Sequence, residues 1–413
     1  MSIAPDHGGS SLRPVLWLFL FALAPGIWQL LHPEAFGFGH GFEMSAIAKR
    51  LAERGEFGNP FEPINTGPTA VVPPLYPFYL AGLIKILRRP ELIAFVATIA
   101  NVFANALVAG WMPGLAAIFY GSTLPGIVAG LLWIPAARLM PQWDVGFTTA
   151  GLVLFCLMTA SLLAPGGAVW LRGASAGAIA GLLSLMNPVV VLVCVLWVAV
   201  LARARRVPLP CFARYGSALV LALALMNVPW LIRNYGLFHT VVLRTNFGMT
   251  LYSSNNDCAE SSLFKDGRNG CYQSTHPVAS ESEARLLGSI GEVEFDRRRT
   301  ADAMAWIRSH PERFRQLTFE RIFEFWFPER VVPAWPAYAM WAITVLSIPG
   351  FILMAVRRIP LTVFLAAVWL LYPLMYYVVV SSDRYRYPIL WTSLLAAGFF
   401  VERAIAPRYT LSR

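Results

Sequence analysis

The sequence predicts an all-α fold, a polytopic bundle of about ten or eleven helices that cross a membrane. Of its 413 residues, 57% are apolar and only 14% are charged, whereas soluble globular chains carry about 25% charged residues. Short polar breaks separate apolar runs such as 15–31, 145–164 and 361–380. Each run is about long enough to cross a hydrocarbon layer of about 30 Å as a helix.

The net charge of +10 comes from 33 Lys and Arg residues against 23 Asp and Glu residues. In a membrane protein, basic residues collect beside the membrane ends and meet anionic headgroups. The sequence contains no basic helix interleaved with base-stacking aromatic residues, so it does not favour nucleic acid as a partner. The first apolar run lacks an A-x-A type cleavage site, so we expect it to be retained as a span.

Clusters of arginine set the predicted orientation. Arg203, Arg205 and Arg206 mark one cytoplasmic end, and Arg357 and Arg358 mark another. The long polar segment between them is then exterior. In the N-terminal half, strict alternation leaves one hydrophobic segment too many. Our preferred interpretation makes 74–88 juxtamembrane or re-entrant, and the alternative divides 91–120 into two short helices.

Three parts follow along the chain: an N-terminal transmembrane module at 1–232 with a first exterior loop at 33–72, an exterior loop and helix region at 233–332, and C-terminal transmembrane helices at 333–413. Helical spacing of apolar residues predicts an amphipathic juxtamembrane helix over 42–53.

The exterior region is not predicted to be a separate large domain. Its residues 252–276 are rich in Asn, Ser, Gly and Asp and indicate a loop. Residues 280–319 show helical periodicity, and Ser280 and Glu283 have the spacing of a capping box.

Two of the five cysteines, Cys258 and Cys271, lie thirteen residues apart in the polar segment. If that segment is extracytoplasmic, the two thiols are candidates for a disulfide. Cys156, Cys194 and Cys211 lie in or beside apolar runs, which is typical of packing residues. The sequence has no CxxC and no His/Cys spacing of a metal site, so we predict neither metal nor cofactor.

The first candidate for chemistry is Glu43, close to His40 at the head of the predicted surface helix. A carboxylate there can take a proton from an acceptor hydroxyl. Alternatively, Glu43 only complements the helix dipole in the first turn.

Two further candidates lie where the chain meets the hydrocarbon. Tyr76 follows a proline-rich re-entry, which forms a rigid turn or shapes the mouth of a lipid groove. Asp144 is costly near hydrocarbon unless it faces a wet cavity or a partner. Its neighbour Trp143 is either part of that groove or an interface anchor.

Arg384 and Arg386 precede the last span, and Tyr385 between them is, like His40, a candidate for the lipid or substrate groove. Two guanidinium groups at this spacing predict a clamp for a phosphate or diphosphate. The alternative is a belt of Arg and Tyr at the interface. Arg233 and Arg244 are second candidates for phosphate binding at the same level.

The order of several motifs along nearly the whole chain resembles a known family. The motifs are Glu43 at the head of a surface helix, Pro73-Pro74-Leu75-Tyr76-Pro77, Asn187-Pro188, Pro229-Trp230-Leu231-Ile232-Arg233-Asn234-Tyr235, and Arg384-Tyr385-Arg386-x-Pro388. They are similar to those of the C-type (GT-C) membrane glycosyltransferases, and more closely to the bacterial branch of glycosyltransferase family 39. That branch is related to protein O-mannosyltransferases and to the lipid A aminoarabinose transferase.

The resemblance implies a bacterial inner-membrane enzyme that transfers a sugar from a polyprenyl-phosphate lipid to an acceptor, with inversion, on the periplasmic face. Glu43 then corresponds to the catalytic acid of the first exterior loop, and Arg384 and Arg386 hold the donor phosphate. The family usually has Asp there, often in an Asp-Glu pair, whereas this chain has a single acid. Asp144 is the substitute base if Glu43 is not aligned with it.

Two other classes stay open. One is a non-catalytic protein that binds polyprenyl lipid, which would need neither Glu43 nor the arginine pair. The other is a transporter or flippase, which should place charges near the bilayer midplane and show two matching halves.

Overall fold

The computed structural model describes residues 12–31, 42–137, 143–162, 168–330 and 334–405. Within these ranges the chain forms helices and two isolated β-bridges. The N-terminal helices are α1 (Leu12–Leu31), α2 (Phe42–Arg54), α3 (Leu75–Leu87), α4 (Pro90–Tyr120), α5 (Leu124–Ala137), α6 (Asp144–Leu162), α7 (Val169–Met186), α8 (Val190–Ala204) and α9 (Leu209–Phe238). The polar region holds α10 (Phe247–Ser254), α11 (Leu263–Asn269), α12 (Cys271–Thr275), α13 (Glu281–Ile290), α14 (Glu292–Ser309) and α15 (Pro311–Trp326). The C-terminal part holds α16 (Trp335–Val356), α17 (Thr362–Leu371), α18 (Leu374–Tyr377), a 3-10 turn at Asp383–Tyr385 and α19 (Tyr387–Ile405).

Six of the described helices are long and apolar enough to cross a membrane: α4, α6, α7, α9, α16 and α19. Shorter apolar helices occur at α1, α3, α5, α8 and across α17 and α18. The described chain is therefore helical and has the helices of a multi-pass membrane protein, as the composition predicts.

Helix α4 gives the direction of the bundle. Near its middle, the Asn101 side chain donates a 3.1 Å hydrogen bond to the carbonyl oxygen of Trp143, just before α6. At its C-terminus, Tyr120 stacks on Phe399 with ring centroids 4.6 Å apart and contacts the Met354 sulfur. Met354 lies just before Arg357 and Arg358, so α4 ends at an arginine-rich end of the bundle. Since α4 is one helix over Pro90–Tyr120, the alternative that divides 91–120 in two is wrong.

Helix α3 starts and ends on the side of the polar region. It follows residue Ala70, whose carbonyl oxygen accepts a hydrogen bond from the Thr245 amide. It ends just before Pro90, and α4 runs from Pro90 through Asn101 toward the arginine-rich end. Because both of its ends lie on this side, α3 does not cross the bundle, and the juxtamembrane or re-entrant position of 74–88 stays our prediction.

Helices α7 and α9 pack through a row of glycines. Gly173, Gly177 and Gly181 recur every fourth residue on α7. A Cβ atom on Gly173 or Gly177 would collide with the carbonyl oxygen of Tyr215 or Leu219 on α9. Small residues of this spacing let the backbones of two membrane helices approach closely.

We expect Gly177→Leu to destabilise the protein by about 3 kcal/mol, because overpacking of this kind forces the two backbones apart. Thermal unfolding in detergent measures the change. Gly216→Leu, on α9 in open space, is the matched control and should unfold like the wild type. Equal stability of both variants would show that α7 and α9 do not pack through Gly177.

The polar region is more helical than predicted. The sequence predicts a loop over residues 252–276. The structure instead has the end of α10 and the whole of α11 and α12 in this segment. The Ser262 side chain accepts a hydrogen bond from the Lys265 amide and starts α11, and Gly270 ends it with φ of +85°. These short helices depend on caps rather than on apolar periodicity, so the amino-acid composition of the segment does not predict them.

Other local predictions are confirmed. Helix α2 begins at Phe42, buries Ile47 and Ala48, and leaves Lys49 exposed. The Ser280 hydroxyl accepts a 3.4 Å hydrogen bond from the Glu283 amide at the start of α13. The predicted helix over 280–319 is divided into α13, α14 and α15, with breaks at Gly291 and before Pro311.

The structure joins Cys258 to Cys271 in a disulfide with a Cα–Cα distance of 5.4 Å. We expect the double variant Cys258→Ser, Cys271→Ser to be less stable by about 3 kcal/mol, the value for a closed loop of about 15 residues. The measurement is thermal unfolding with and without a membrane-permeant reductant. Reductant should lower the wild-type Tm and leave that of the double variant unchanged; an unchanged wild-type Tm would show that no such bond forms.

Candidate functional site

Charged side chains from three distant segments meet at the polar end of the bundle. Asp144 begins α6, Arg244 lies between α9 and α10, and Arg384 lies in the 3-10 turn before α19. The Asp144 carboxylate is in electrostatic range of both guanidinium groups. Asp144 is only 8% exposed. A carboxylate at this depth needs a countercharge, and the two arginines are the cations within its electrostatic range.

A second carboxylate reaches the same arginine from α2. The charge of Glu43 acts on Arg384, and also on Tyr272 and His276 of the polar region. Glu43 lies in the first turn of α2 and is half-buried. The two predicted catalytic acids, Glu43 and Asp144, are therefore both within electrostatic range of one guanidinium group, that of Arg384.

Arg384 is held between aromatic rings. Its guanidinium carbon lies 4.6 Å from the ring centroid of Trp143 and 5.3 Å from that of Tyr385. Burial opposes its charge, but Tyr385 and then Glu43 and Asp144 raise the pKa of Arg384 above its usual value. The group is a fixed cation, which is the requirement for binding a phosphate.

Arg244 completes a pair of guanidinium groups. Its Nε donates a 2.6 Å hydrogen bond to the carbonyl oxygen of Val71. It is in electrostatic range of Arg384, Asp144, Tyr385 and Tyr376, and the Tyr376 and Tyr385 rings stack with centroids 4.4 Å apart. The arginine in electrostatic range of Arg384 is thus Arg244 and not Arg386, which was predicted as its partner.

Arg386 does not belong to this cluster, so the structure does not support its prediction as a phosphate ligand. It is 1% exposed and donates hydrogen bonds to the Trp326 carbonyl at 2.8 Å, the Thr344 hydroxyl at 2.7 Å and the Ser393 hydroxyl at 3.2 Å. Residues two apart on a helical turn point in different directions. Arg384 therefore faces the charged cluster while Arg386 faces the bundle core.

Arg233 also lies elsewhere, so the structure does not support its prediction as a ligand of the same phosphate. Its guanidinium donates to the carbonyl oxygens of Thr69 at 2.6 Å and Phe57 at 2.7 Å. Its electrostatic partner is Glu292 rather than the acids of the cluster.

The other predicted groove residues have mixed outcomes. Tyr76 is 1% exposed and lies in electrostatic range of Asp144, so it packs beside the cluster instead of at a surface mouth. Trp143 and Tyr385 contact Arg384 and are part of the site. His40 lies outside the described residues.

Tyr272 and His276 are members of the site that sequence reasoning missed. Their rings stack with centroids 4.8 Å apart. Burial lowers the pKa of His276. The charge of Glu43 raises this pKa, and the charge of Arg384 lowers it further. The His276 Nδ1 accepts a 3.2 Å hydrogen bond from the Val278 amide, so the neutral ring carries its proton on Nε2. Both residues lie in the segment predicted as loop, and only their four-residue spacing hinted at a shared helical face.

Glu292 supports the site from behind. The buried carboxylate accepts hydrogen bonds from the Thr69 hydroxyl at 2.5 Å, the Ala70 amide at 2.7 Å and the Thr245 hydroxyl. These contacts fix residues 69–71, whose Val71 carbonyl receives the Arg244 side chain. No spacing in the sequence pointed to Glu292, because its partners lie about 50 and 220 residues away.

Glu292 makes stability depend on pH. Burial raises its pKa from 4.5 to about 7, against the hydrogen bonds that lower it. The folded state therefore binds the proton more tightly, and the stability this contributes is lost as pH rises from about 4.5 to about 7. Compared with that of Glu292→Gln, the free energy of unfolding of the wild type should fall by up to about 3 kcal/mol as pH rises through that window. Unfolding from pH 4.5 to 7.5 measures it, with the exposed Glu294→Gln as control; parallel curves for wild type and Glu292→Gln would contradict the prediction.

An apolar groove leads away from the charged cluster. A cavity of about 420 Å³ lies between α4 and α6 and is lined by apolar side chains that include Phe103, Trp111, Phe147 and Leu154. Phe147 is one helical turn from Asp144. Asp144 of the charged cluster therefore lies close to one end of an apolar groove that an isoprenoid or acyl chain can occupy.

Among the described residues, no three His, Cys, Asp or Glu side chains are grouped to hold a metal ion. In comparisons with known proteins, no family model, no curated protein and no solved structure matches the chain. The resemblance to glycosyltransferase family 39 therefore remains a prediction from the motifs of this chain.

Proposed function

We propose that this protein is a bacterial inner-membrane glycosyltransferase of the GT-C type, which transfers a sugar from a polyprenyl-phosphate donor to an acceptor on the periplasmic face. One observation carries the proposal. Two carboxylates, Glu43 and Asp144, and two guanidinium groups, Arg244 and Arg384, converge beside an apolar groove.

The proposed topology has ten spans. Helices α1, α4 to α9, α16, α17 with α18, and α19 alternate in direction when α3 stays juxtamembrane. The arginines at 203–206 and 357–358 then lie in the cytoplasm, in line with the positive-inside rule. The charged cluster is exterior, as is the Cys258–Cys271 disulfide, which an oxidising compartment favours.

Binding of the donor follows from charge and shape. Arg384 and Arg244 would hold the anionic phosphate, and the isoprenoid tail would lie in the groove between α4 and α6. When the bond between the sugar C1 and the phosphate oxygen breaks, the electron pair goes to the phosphate. Fixed guanidinium groups stabilise the negative charge that develops there.

The two carboxylates differ in setting, which suggests different roles. Asp144 is buried in range of both arginines and is suited to orient them. Glu43 is more accessible and is suited to accept the proton of the acceptor hydroxyl. The acceptor oxygen then bonds to C1 from the face opposite the phosphate, and the configuration inverts.

Donor binding tests the proposal without knowledge of the acceptor. A panel of short polyprenyl-phosphate hexoses is titrated into purified protein, and Kd is measured by displacement of a fluorescent polyprenyl phosphate. Arg384→Ala should raise Kd at least tenfold, since it loses a charged hydrogen-bonding group worth more than about 1.4 kcal/mol.

Arg298→Ala is the matched control, because Arg298 is an exposed arginine of the same polar region. Equal Kd for wild type and Arg384→Ala would remove the phosphate site. Donor binding by the wild type without release of sugar to water or to any acceptor tested would instead favour the non-catalytic lipid-binding alternative.

A further inference from the structure

A second, larger cavity lies apart from the charged cluster. Its volume is about 710 Å³, and its walls come from α2, the loops at 55–58 and 67–68, the start of α3 and the ends of α7 and α9. It has no lining residue in common with the Glu43–Arg384 cluster. Its volume is that of a pocket for a sizeable ligand.

The walls of this cavity are mainly apolar and reach the outer face of the bundle. Leu185, Met226 and Trp230 line its interior, and the half-exposed Phe78 and Leu237 lie at its edge. Along α9 the edge continues into an exposed apolar stripe of Leu225, Val228 and Ile232. A stripe of this kind on a membrane-spanning helix faces lipid, so the cavity opens toward lipid chains.

Arg233 gives the cavity a positive charge. Three of the five N–H groups of its guanidinium are used, by Thr69, Phe57 and Asn234. None of the described carboxylates is within ion-pair distance of it, and Glu292 acts on it only at longer electrostatic range. The other arginine of the wall, Arg50, is already paired with Glu56 at 2.6 Å.

We propose that this cavity binds an anionic phospholipid, with one acyl chain between α3 and α9 and the phosphate on the remaining donors of Arg233. The charge of Arg233 is complementary to the phosphate, and basic pockets between membrane helices bind anionic headgroups. The lipid would join α9 to α2 and to the loops that Arg233 already ties together, and it is independent of the proposed sugar transfer.

Native mass spectrometry of protein released from nanodiscs of equal phosphatidylglycerol and phosphatidylcholine tests the proposal. The wild type should retain phosphatidylglycerol in preference. Leu75→Trp fills the cavity and should lower that retention at least tenfold. Ile86→Trp, on the same helix but 77% exposed at its other end, should leave it unchanged.

Arg233→Gln should remove the preference for phosphatidylglycerol. Arg233 also holds two loops, so Arg233→Gln can fail to fold. In that case the comparison of Leu75→Trp with Ile86→Trp decides the result. Equal retention by Leu75→Trp and Ile86→Trp, or no preference between the two lipids in the wild type, would overturn the proposal. Displacement of phosphatidylglycerol by polyprenyl phosphate would assign the cavity to the donor and overturn it as well.

Discussion

Glu43→Gln is expected to lower sugar transfer by about 10²–10⁴-fold, the range for loss of a general base. The amide has nearly the shape of the carboxylate but cannot accept the proton of the acceptor hydroxyl. Since Glu43 lies in the first turn of α2 and is half-buried, the variant should fold normally. Donor Kd should change little, because the proposed ligands of the phosphate are Arg384 and Arg244.

The matched control is Glu53→Gln, which removes an exposed carboxylate from the other end of α2. Turnover of the donor is measured for both variants at saturating donor. Asp144→Asn should instead raise the donor Kd, because it releases the two arginines. Full activity of Glu43→Gln with loss of activity in Asp144→Asn would make Asp144 the base.

Arg386→Ala is expected to destabilise the protein by about 3 kcal/mol, because it leaves a cavity and three buried acceptors without their donor. The variant leaves a cavity between Trp326, Thr344 and Ser393. It also removes the hydrogen bonds that the Trp326 carbonyl and the Thr344 and Ser393 hydroxyls accept from Arg386. It also removes the contact between the guanidinium and the Trp326 ring, whose centroid lies 4.8 Å away.

Thermal unfolding in detergent measures this loss, and Arg384→Ala is the matched control from the same turn. The two variants should show opposite patterns. Arg384→Ala raises the donor Kd and leaves the Tm nearly unchanged, whereas Arg386→Ala lowers the Tm and leaves the donor Kd of the folded protein unchanged. A raised donor Kd with normal stability in Arg386→Ala would restore the phosphate role predicted from its spacing.

Local patterns predicted much of the fold. Apolar runs of sufficient length locate most of the membrane helices, because a helix that faces lipid must be apolar along its length. The amphipathic spacing after residue 42 located α2, and the capping residues Ser280 and Glu283 located the start of α13. Where structure depends on single caps, as at Ser262, the composition gave no signal and α11 was missed.

Composition and apolar runs were enough to predict a helical membrane protein, and spacing was enough to name its candidate acids and arginines. How the helices pack determines which of these groups come close to one another. Arg384 and Arg386 are two residues apart, but the turn before α19 directs one to Glu43 and Asp144 and the other into the core. Contacts between segments far apart in the chain add four residues to the site: Arg244, Glu292, Tyr272 and His276. Side-chain direction and long-range contact depend on how the helices pack, which local spacing does not specify.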